Sequence, residues 1–157
     1  MIKLNLGCGD RKLHGFINVD ARDDLGPDVV WDVTRIHEKF WKEVLASWHT
    51  ALRPGGTLRL SVPDLKAACE YYLMTNDFEA VRAFFYGGQK YDFDFHYHGW
   101  SYDTLEKALL EAGFQEVRCY DWSKTEHFYV DDYSQAYLPH MDKTNGKLMS
   151  LNVEAIK

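Results

Sequence analysis

The 157-residue chain lacks a paired-cysteine pattern. Cys8, Cys69 and Cys119 are odd in number, far apart and without a CxxC spacing, so neither a disulfide framework nor a zinc site is expected. Reduced thiols in a cytoplasmic protein are the plain expectation. No apolar run approaches the roughly 18–20 residues of a membrane span, and Met1-Ile2-Lys3-Leu4 passes straight into a strand-like segment rather than a signal peptide. Repeats, low-complexity tracts and Pro/Ser-rich linkers are missing too, so residues 1–157 are expected to form a single domain. Basic charge is in deficit, with 18 Lys and Arg against 24 Asp and Glu. The net charge of −6 argues against nucleic acid as a partner, which needs a basic face, though a local basic patch stays open. The length and the 46% apolar content suffice for one sizeable core.

What is present alternates between two periodicities. Residues 2–6, 16–20 and 29–33 read as strands, the last following the turn residues Gly26-Pro27-Asp28. Trp41, Val44, Leu45, Trp48 and Leu52 share one helical face, stopped by Arg53-Pro54-Gly55-Gly56. Thr57 to Val62 alternates as a strand. Asp64 is placed to cap a helix with Leu65, Ala68, Cys69 and Tyr72 on one face, and another helix is expected over Phe78 to Tyr86. Ser101 begins a helix with Leu105, Ala108, Leu109 and Ala112 on one side, ended by Gly113. Glu116 to Tyr120 and Leu148 to Ile156 read as strands, the latter with Leu151, Val153 and Ala155 on one face. This alternation implies an α/β sandwich with a mostly parallel sheet.

Gly7-Cys8-Gly9 directly follows the first strand. A chain leaving a sheet there must turn sharply and admit a ligand close to its backbone, and glycine permits both. Alone the turn is weak, since any tight turn reads the same way. Asp20 ends the second strand and Asp32 falls at the end of the third. The first acid can accept from both hydroxyls of a ribose, and the second from an adenine amino group. Each Asp by itself is equally a turn or cap residue. A dinucleotide fingerprint wants a third glycine where Lys12 stands. Only about ten residues separate Gly9 from Asp20, little room for a helix whose N-terminus would hold a pyrophosphate. A phosphate-free ligand such as S-adenosylmethionine (SAM) suits the turn better.

These residues resemble the class I SAM-dependent methyltransferases, most closely the small bacterial type with the signature LNLGCG…GFINVD. Here that is Leu4 to Gly9 and then Gly15 to Asp20. Leu52-Arg53-Pro54-Gly55-Gly56-Thr57-Leu58 with Ser61-Val62-Pro63-Asp64 is similar to the family's L-x-PGG-x-L…VPD passage, and Leu109 to Phe114 to its LL-x-x-AGF. The resemblance implies a Rossmann-like three-layer sandwich whose last strand is antiparallel. It implies SAM as cofactor and an unidentified, small-molecule methyl acceptor. It places Gly7, Cys8 and Gly9 under the methionine part, Asp20 at the ribose and Asp32 near the adenine, with Asn5, Leu6, Ala21 and Val33 beside them. Asn5 stands where many relatives carry an acid. Relatives also insert a central fourth strand between Asp32 and the helix at Trp41, where this chain has only Val33 to Phe40. Either the chain is a shortened, inactive member that closes its sheet directly or through a partner, or a stretch is missing from it. The second alternative demands a break near residues 36–42 well beyond the about 3.8 Å between adjacent Cα atoms. Exposed sheet edges would favour a homodimer.

Nine aromatic residues lie from Phe84 to Tyr102, a segment that contains the flexible turn Gly87-Gly88. One reading is a lid over the site, with His96 or His98 as the base for a hydroxyl or amine acceptor. The other is a packed loop or dimer contact with incidental histidines. Asp92 and Asp94 lie near the two histidines, but with no full ligand set no metal is expected. Asp121 to Lys147 is long and polar, carrying His127, Asp131, Asp132 and His140, and reads equally as part of an acceptor site or as solvated surface. Two further functions compete with methyl transfer. A non-catalytic SAM-fold binding or scaffold protein accounts for the short interval after Asp32; a nicotinamide-dependent oxidoreductase is opposed by Lys12.

Overall fold

The structure, a computed structural model, describes residues 3–30, 41–91 and 94–157. Three short strands follow one another at its start: β1 (Leu4–Leu6), β2 (Ile17–Asp20) and β3 (Val29–Val30). They pair in parallel in the order β1-β2-β3, with Leu4 opposite Ile17 and Val19 opposite Val29. The remaining elements are α1 (Trp41–Ala51), β4 (Thr57–Pro63), α2 (Leu65–Thr75), α3 (Phe78–Tyr86), α4 (Tyr102–Glu111), β5 (Glu116–Cys119), β6 (Tyr137–Leu138), β7 (Lys147–Leu148) and β8 (Ser150–Ile156).

The fold is therefore mixed α/β. A second sheet has the order β4-β8-β5, and β8 is antiparallel to both neighbours, pairing Leu60 with Val153 and Val117 with Ala155. β4 and β5 consequently run parallel to each other on either side of it. A last strand running against its neighbours is what the family resemblance implies. The expectation of mostly parallel pairing holds within the first sheet alone; β6 and β7 form a further antiparallel pair. The physical reason is the route of the chain. After β5 it makes a long excursion and returns from the opposite direction between β4 and β5.

Local chemistry sets the helix ends. The Asp64 carboxylate accepts from the N–H groups of Lys66 and Ala67, and Asp77 accepts from Ala80, so α2 and α3 start at acids that satisfy free helix donors. At α4 the Thr104 hydroxyl accepts the Ser101 N–H at 3.0 Å, and the helix gives way to Gly113 at φ +107°. The buried face of α2 differs by one position from the expected one. Ala67 and Ala68 are buried and Tyr71 packs beside them, whereas Cys69 and Tyr72 face out. At 100° per residue a stripe read from 65/68/69/72 and one centred on 67/68/71 overlap, and contact with Val81 and Met149 decides between them.

Strand β8 is buried on both sides from Ser150 to Ala155. Leu151, Val153 and Ala155 join Leu45, Leu105, Ala108, Leu109 and Phe114 in the main core, against α1 and α4. The alternate residues Ser150, Asn152 and Glu154 are polar, and the excursion after β5 covers them. Asn152 donates to the Ser134 carbonyl at 2.8 Å, and Ser150 to the Tyr133 carbonyl at 2.5 Å. Glu154 takes Arg59 at 2.7 Å and Arg118 at 3.1 Å. The sequence pattern shows one buried face; the partners of the other come from residues far along the chain.

Among the described residues no helix is long and apolar enough to cross a membrane. Asp32 and Val33, the interval up to Phe40, and with them the question of a fourth strand or a chain break near 36–42, lie outside the described residues.

Candidate functional site

The turn after β1 takes the shape its glycines allow. Gly7 and Gly9 have φ of +65° and +53°, which side-chain-bearing residues adopt only under strain. A Cβ built at either would meet nothing within 4 Å, so the space beside the turn is open. Between them Cys8 is buried and donates its N–H to the Val19 carbonyl at 3.0 Å, which sews the turn to β2. Burial, and secondarily the Asp20 charge, push the Cys8 thiol above its ordinary range. It is a packing thiol rather than a nucleophile.

Asp20 ends β2 with 8% of its surface exposed. Its Oδ2 accepts the Gly9 N–H at 2.7 Å and its Oδ1 accepts the Arg22 N–H at 2.9 Å. The acid thus fixes the glycine turn on one side and its own loop on the other. Each oxygen retains a second lone-pair direction, so the carboxylate still has acceptor capacity. Leu6 and Ala21 flank this arrangement half-buried. Asn5 is committed elsewhere: its amide donates to the Arg11 carbonyl and to Asn18 Oδ1, both at 2.9 Å.

Asn18 organises the loop between β1 and β2, a role the sequence reading did not assign. Its Oδ1 accepts from the Leu13 N–H at 2.8 Å, and its backbone and side-chain nitrogens donate to Asp28 Oδ2 at 2.8 and 2.9 Å. These bonds hold the Asp28 carboxyl below the usual range. A buried asparagine has up to four hydrogen bonds to satisfy, and this one meets them from β1 and two loop segments. The available signal was an Asn between the apolar Ile17 and Val19 of the strand.

One further segment approaches the Asp20 end of β2. The Tyr91 ring lies 5.2 Å from the Arg22 guanidinium, which Asp24 holds through bonds of 3.2 and 2.6 Å. Partial burial, then the Asp94 carboxylate, push the Tyr91 phenol up, with smaller contributions from Tyr133 and Asp20. Tyr133 comes from the excursion after β5, its carbonyl accepting from Ser61 on β4 at 3.2 Å and from Ser150 on β8.

The two candidate bases have other partners. His96 Nδ1 lies 3.2 Å from the Phe84 carbonyl on α3. His98 packs on Trp100 at 4.1 Å and on Trp41 at 5.6 Å. The pair therefore contacts α3 and a tryptophan cluster rather than one common ligand-facing point. Among the described residues no group of His, Cys, Asp or Glu could hold a metal ion.

The excursion after β5 also ties the two main sheets together. Glu126 accepts Lys3 Nζ, beside β1, at 3.1 Å and Arg59, on β4, at 3.2 Å. Its own backbone N–H, then Lys3 and Arg59, bring its carboxyl down to about 2 against partial burial. Next to it His127 is buried, edge-on to Phe16, with Nε2 3.6 Å from Asp132 and Nδ1 without a hydrogen-bond partner among the described residues. Burial drives its pKa below the ordinary value although Asp132 opposes this. Burial also pushes the Tyr120 phenol up to about 12. Neither a protein-family model nor a curated protein matches this chain.

Proposed function

We propose that the chain is a SAM-binding α/β domain of the class I methyltransferase kind, transferring a methyl group to a small-molecule acceptor. The observation that carries the reading is the 2.7 Å bond from the Gly9 N–H to Asp20, between the ends of two adjacent parallel strands. Ligands of open α/β sheets bind at those carboxyl ends. The first sheet and the β4-β8-β5 sheet, with its antiparallel last strand, support a Rossmann-like sandwich in two parts.

The residues present fit SAM. The open space at Gly7 and Gly9 is a cradle that a Cβ would fill, and Asp20 retains acceptor capacity for a ribose. When bound, SAM supplies an electrophilic methyl group to a nucleophile. The chain's own part is positioning: the Gly7–Gly9 backbone lies beside the amino-acid portion, Asp20 accepts from the ribose hydroxyls, and Leu6 and Ala21 flank them. Asp32 and Val33 lie outside the described residues, and their assignment to the adenine rests on the family resemblance alone. Methyl transfer from a sulfonium is mainly a matter of orientation, so a base is optional. That suits His96 and His98, whose rings are engaged elsewhere.

Those same engaged histidines, with Asn5 turned into its own loop, favour one second reading: a SAM-fold binding or scaffold protein without turnover. Calorimetric titration with SAM, S-adenosylhomocysteine and NAD separates the readings. SAM and S-adenosylhomocysteine binding without NAD binding is expected. Absence of both affinities up to millimolar overturns the SAM site, and binding without turnover over a broad acceptor panel leaves the scaffold.

A further inference from the structure

Tyr91 stands beside a network of hydrogen bonds centred on Asp94. The Asp94 carboxylate accepts the N–H groups of Gly88 at 3.1 Å and Lys90 at 3.2 Å. The Gln89 N–H donates to the Asp94 carbonyl at 2.8 Å, and the Asp94 N–H to the Tyr91 carbonyl at 2.9 Å. A Cβ at Gly87, whose φ is +78°, would collide with the Asp94 backbone, so this close approach needs glycine there, and a Cβ at Gly88 would displace the Asp94 carboxylate. Tyr91 is thus presented by a preset frame rather than by a free strand of chain.

The ring meets Arg22, and Arg22 is itself held on two sides. Asp24 grips its guanidinium, and its backbone N–H rests on Asp20 Oδ1. One chain of contacts therefore runs from Tyr91 through Arg22 to the acid that also anchors Gly9. Nearly half of Tyr91, 47%, remains in solvent, enough surface for a planar base to pack on.

We propose that Tyr91 is a positioning residue covering the nucleoside end of the Gly7–Asp20 site, and that Arg22 is the latch that keeps it there. This rests on the SAM reading. It assigns the aromatic loop a job separate from acid–base chemistry: slowing the escape of a bound nucleoside. A cation–π contact at a partly exposed site corresponds to about a two- to fivefold effect, and loss of the ring removes its contact with the base as well.

The test measures dissociation of S-adenosylhomocysteine by stopped flow from wild type, Tyr91→Ala, Tyr91→Phe, Arg22→Ala and the Tyr91→Ala/Arg22→Ala double variant. Expected are rates at least about threefold faster in both alanine variants, no further gain in the double variant, and a wild-type rate in Tyr91→Phe. A smaller change in Tyr91→Ala, an additive double variant, or a Tyr91→Phe as fast as Tyr91→Ala overturns the proposal. A second arm needs no ligand: trypsin cleavage after Lys90, followed by mass spectrometry. Release of the latch speeds this cleavage in Tyr91→Ala/Arg22→Ala and in Arg22→Ala. If wild type binds no S-adenosylhomocysteine, the SAM reading falls, and the Tyr91–Arg22 latch stands or falls on this cleavage alone.

Discussion

Gly9 and Asp20 are joined by a 2.7 Å hydrogen bond from the Gly9 N–H to Asp20 Oδ2, while Asp20 Oδ1 holds the N–H of Arg22. Asp20 is therefore structural and ligand-facing at once, and its two roles separate by substitution. Asp20→Ala strands two amides and is expected to lower stability by about 1–3 kcal/mol. It also weakens SAM binding by at least about 1–3 kcal/mol through loss of a charge-assisted acceptor. Asp20→Asn keeps one acceptor oxygen and is expected to recover part of the stability. Thermal melts and calorimetric titrations of both variants check this. A binding constant unchanged in Asp20→Ala would put the ribose elsewhere.

Gly9→Ala meets no neighbour, because a Cβ there has open space around it. Its cost is conformational: φ is +53°, and the left-handed region costs a side-chain-bearing residue about 1–2 kcal/mol. A loss of that size in a denaturant melt is expected, with no change in core packing as seen by tryptophan fluorescence.

His127 makes stability depend on pH. Its folded pKa lies below the ordinary 6.5, so between 6.5 and that lower value the unfolded chain binds the proton first. Its contribution is whole above pH 6.5 and is lost as pH falls through that window. The midpoint of thermal unfolding should drop between pH 7 and 5, and His127→Gln should flatten that slope. An equal slope in the variant would assign the drop to other groups.

Glu126 acts at lower pH. Its carboxyl is held at about 2 against an ordinary 4.5, so its stabilising contribution is present above 4.5 and is lost as pH falls toward 2. The side chain is half exposed, which screens the pairs with Lys3 and Arg59. Glu126→Gln is expected to cost less than about 1 kcal/mol near neutrality. The same substitution should reduce the dependence of unfolding on pH between 4.5 and 2.

Leu109 is fully buried between α4 and β8, in contact with the Val153 cluster. Leu109→Ala is expected to lose about 2–5 kcal/mol from removed burial plus the cavity left behind. Leu110 beside it is 48% exposed, and Leu110→Ala should stay within about 0.5 kcal/mol of wild type. Denaturant melts of the two neighbours compare the buried and the open face directly.

Most elements were legible because their signals are local. Asp64 caps α2, Gly113 ends α4, and the turn glycines Gly7 and Gly9 take positive φ, each within a few residues of its cause. Harder were features whose cause lies far away. Asn18 reads as a polar residue between Ile17 and Val19 until Leu13 and Asp28 are brought to it. The polar face of β8 reads as solvent-facing until Ser134 and Arg59 cover it. β6 and β7 are two residues each, too short to carry a period. At the candidate site, the turn and Asp20 were readable from sequence, whereas the approach of Tyr91 to Arg22 depends on a loop that an Asp94-centred network shapes.

β8 is the last of these strands along the chain, yet it occupies the middle of the β4-β8-β5 sheet. During synthesis β4 and β5 emerge first and wait with no partner between them. A nascent chain halted before Ser150 lacks the central strand whose Leu151, Val153 and Ala155 complete the core beneath α1 and α4. Completion of this half is thereby a late event. Until then its apolar edges belong to whatever guards unfinished chains against clumping.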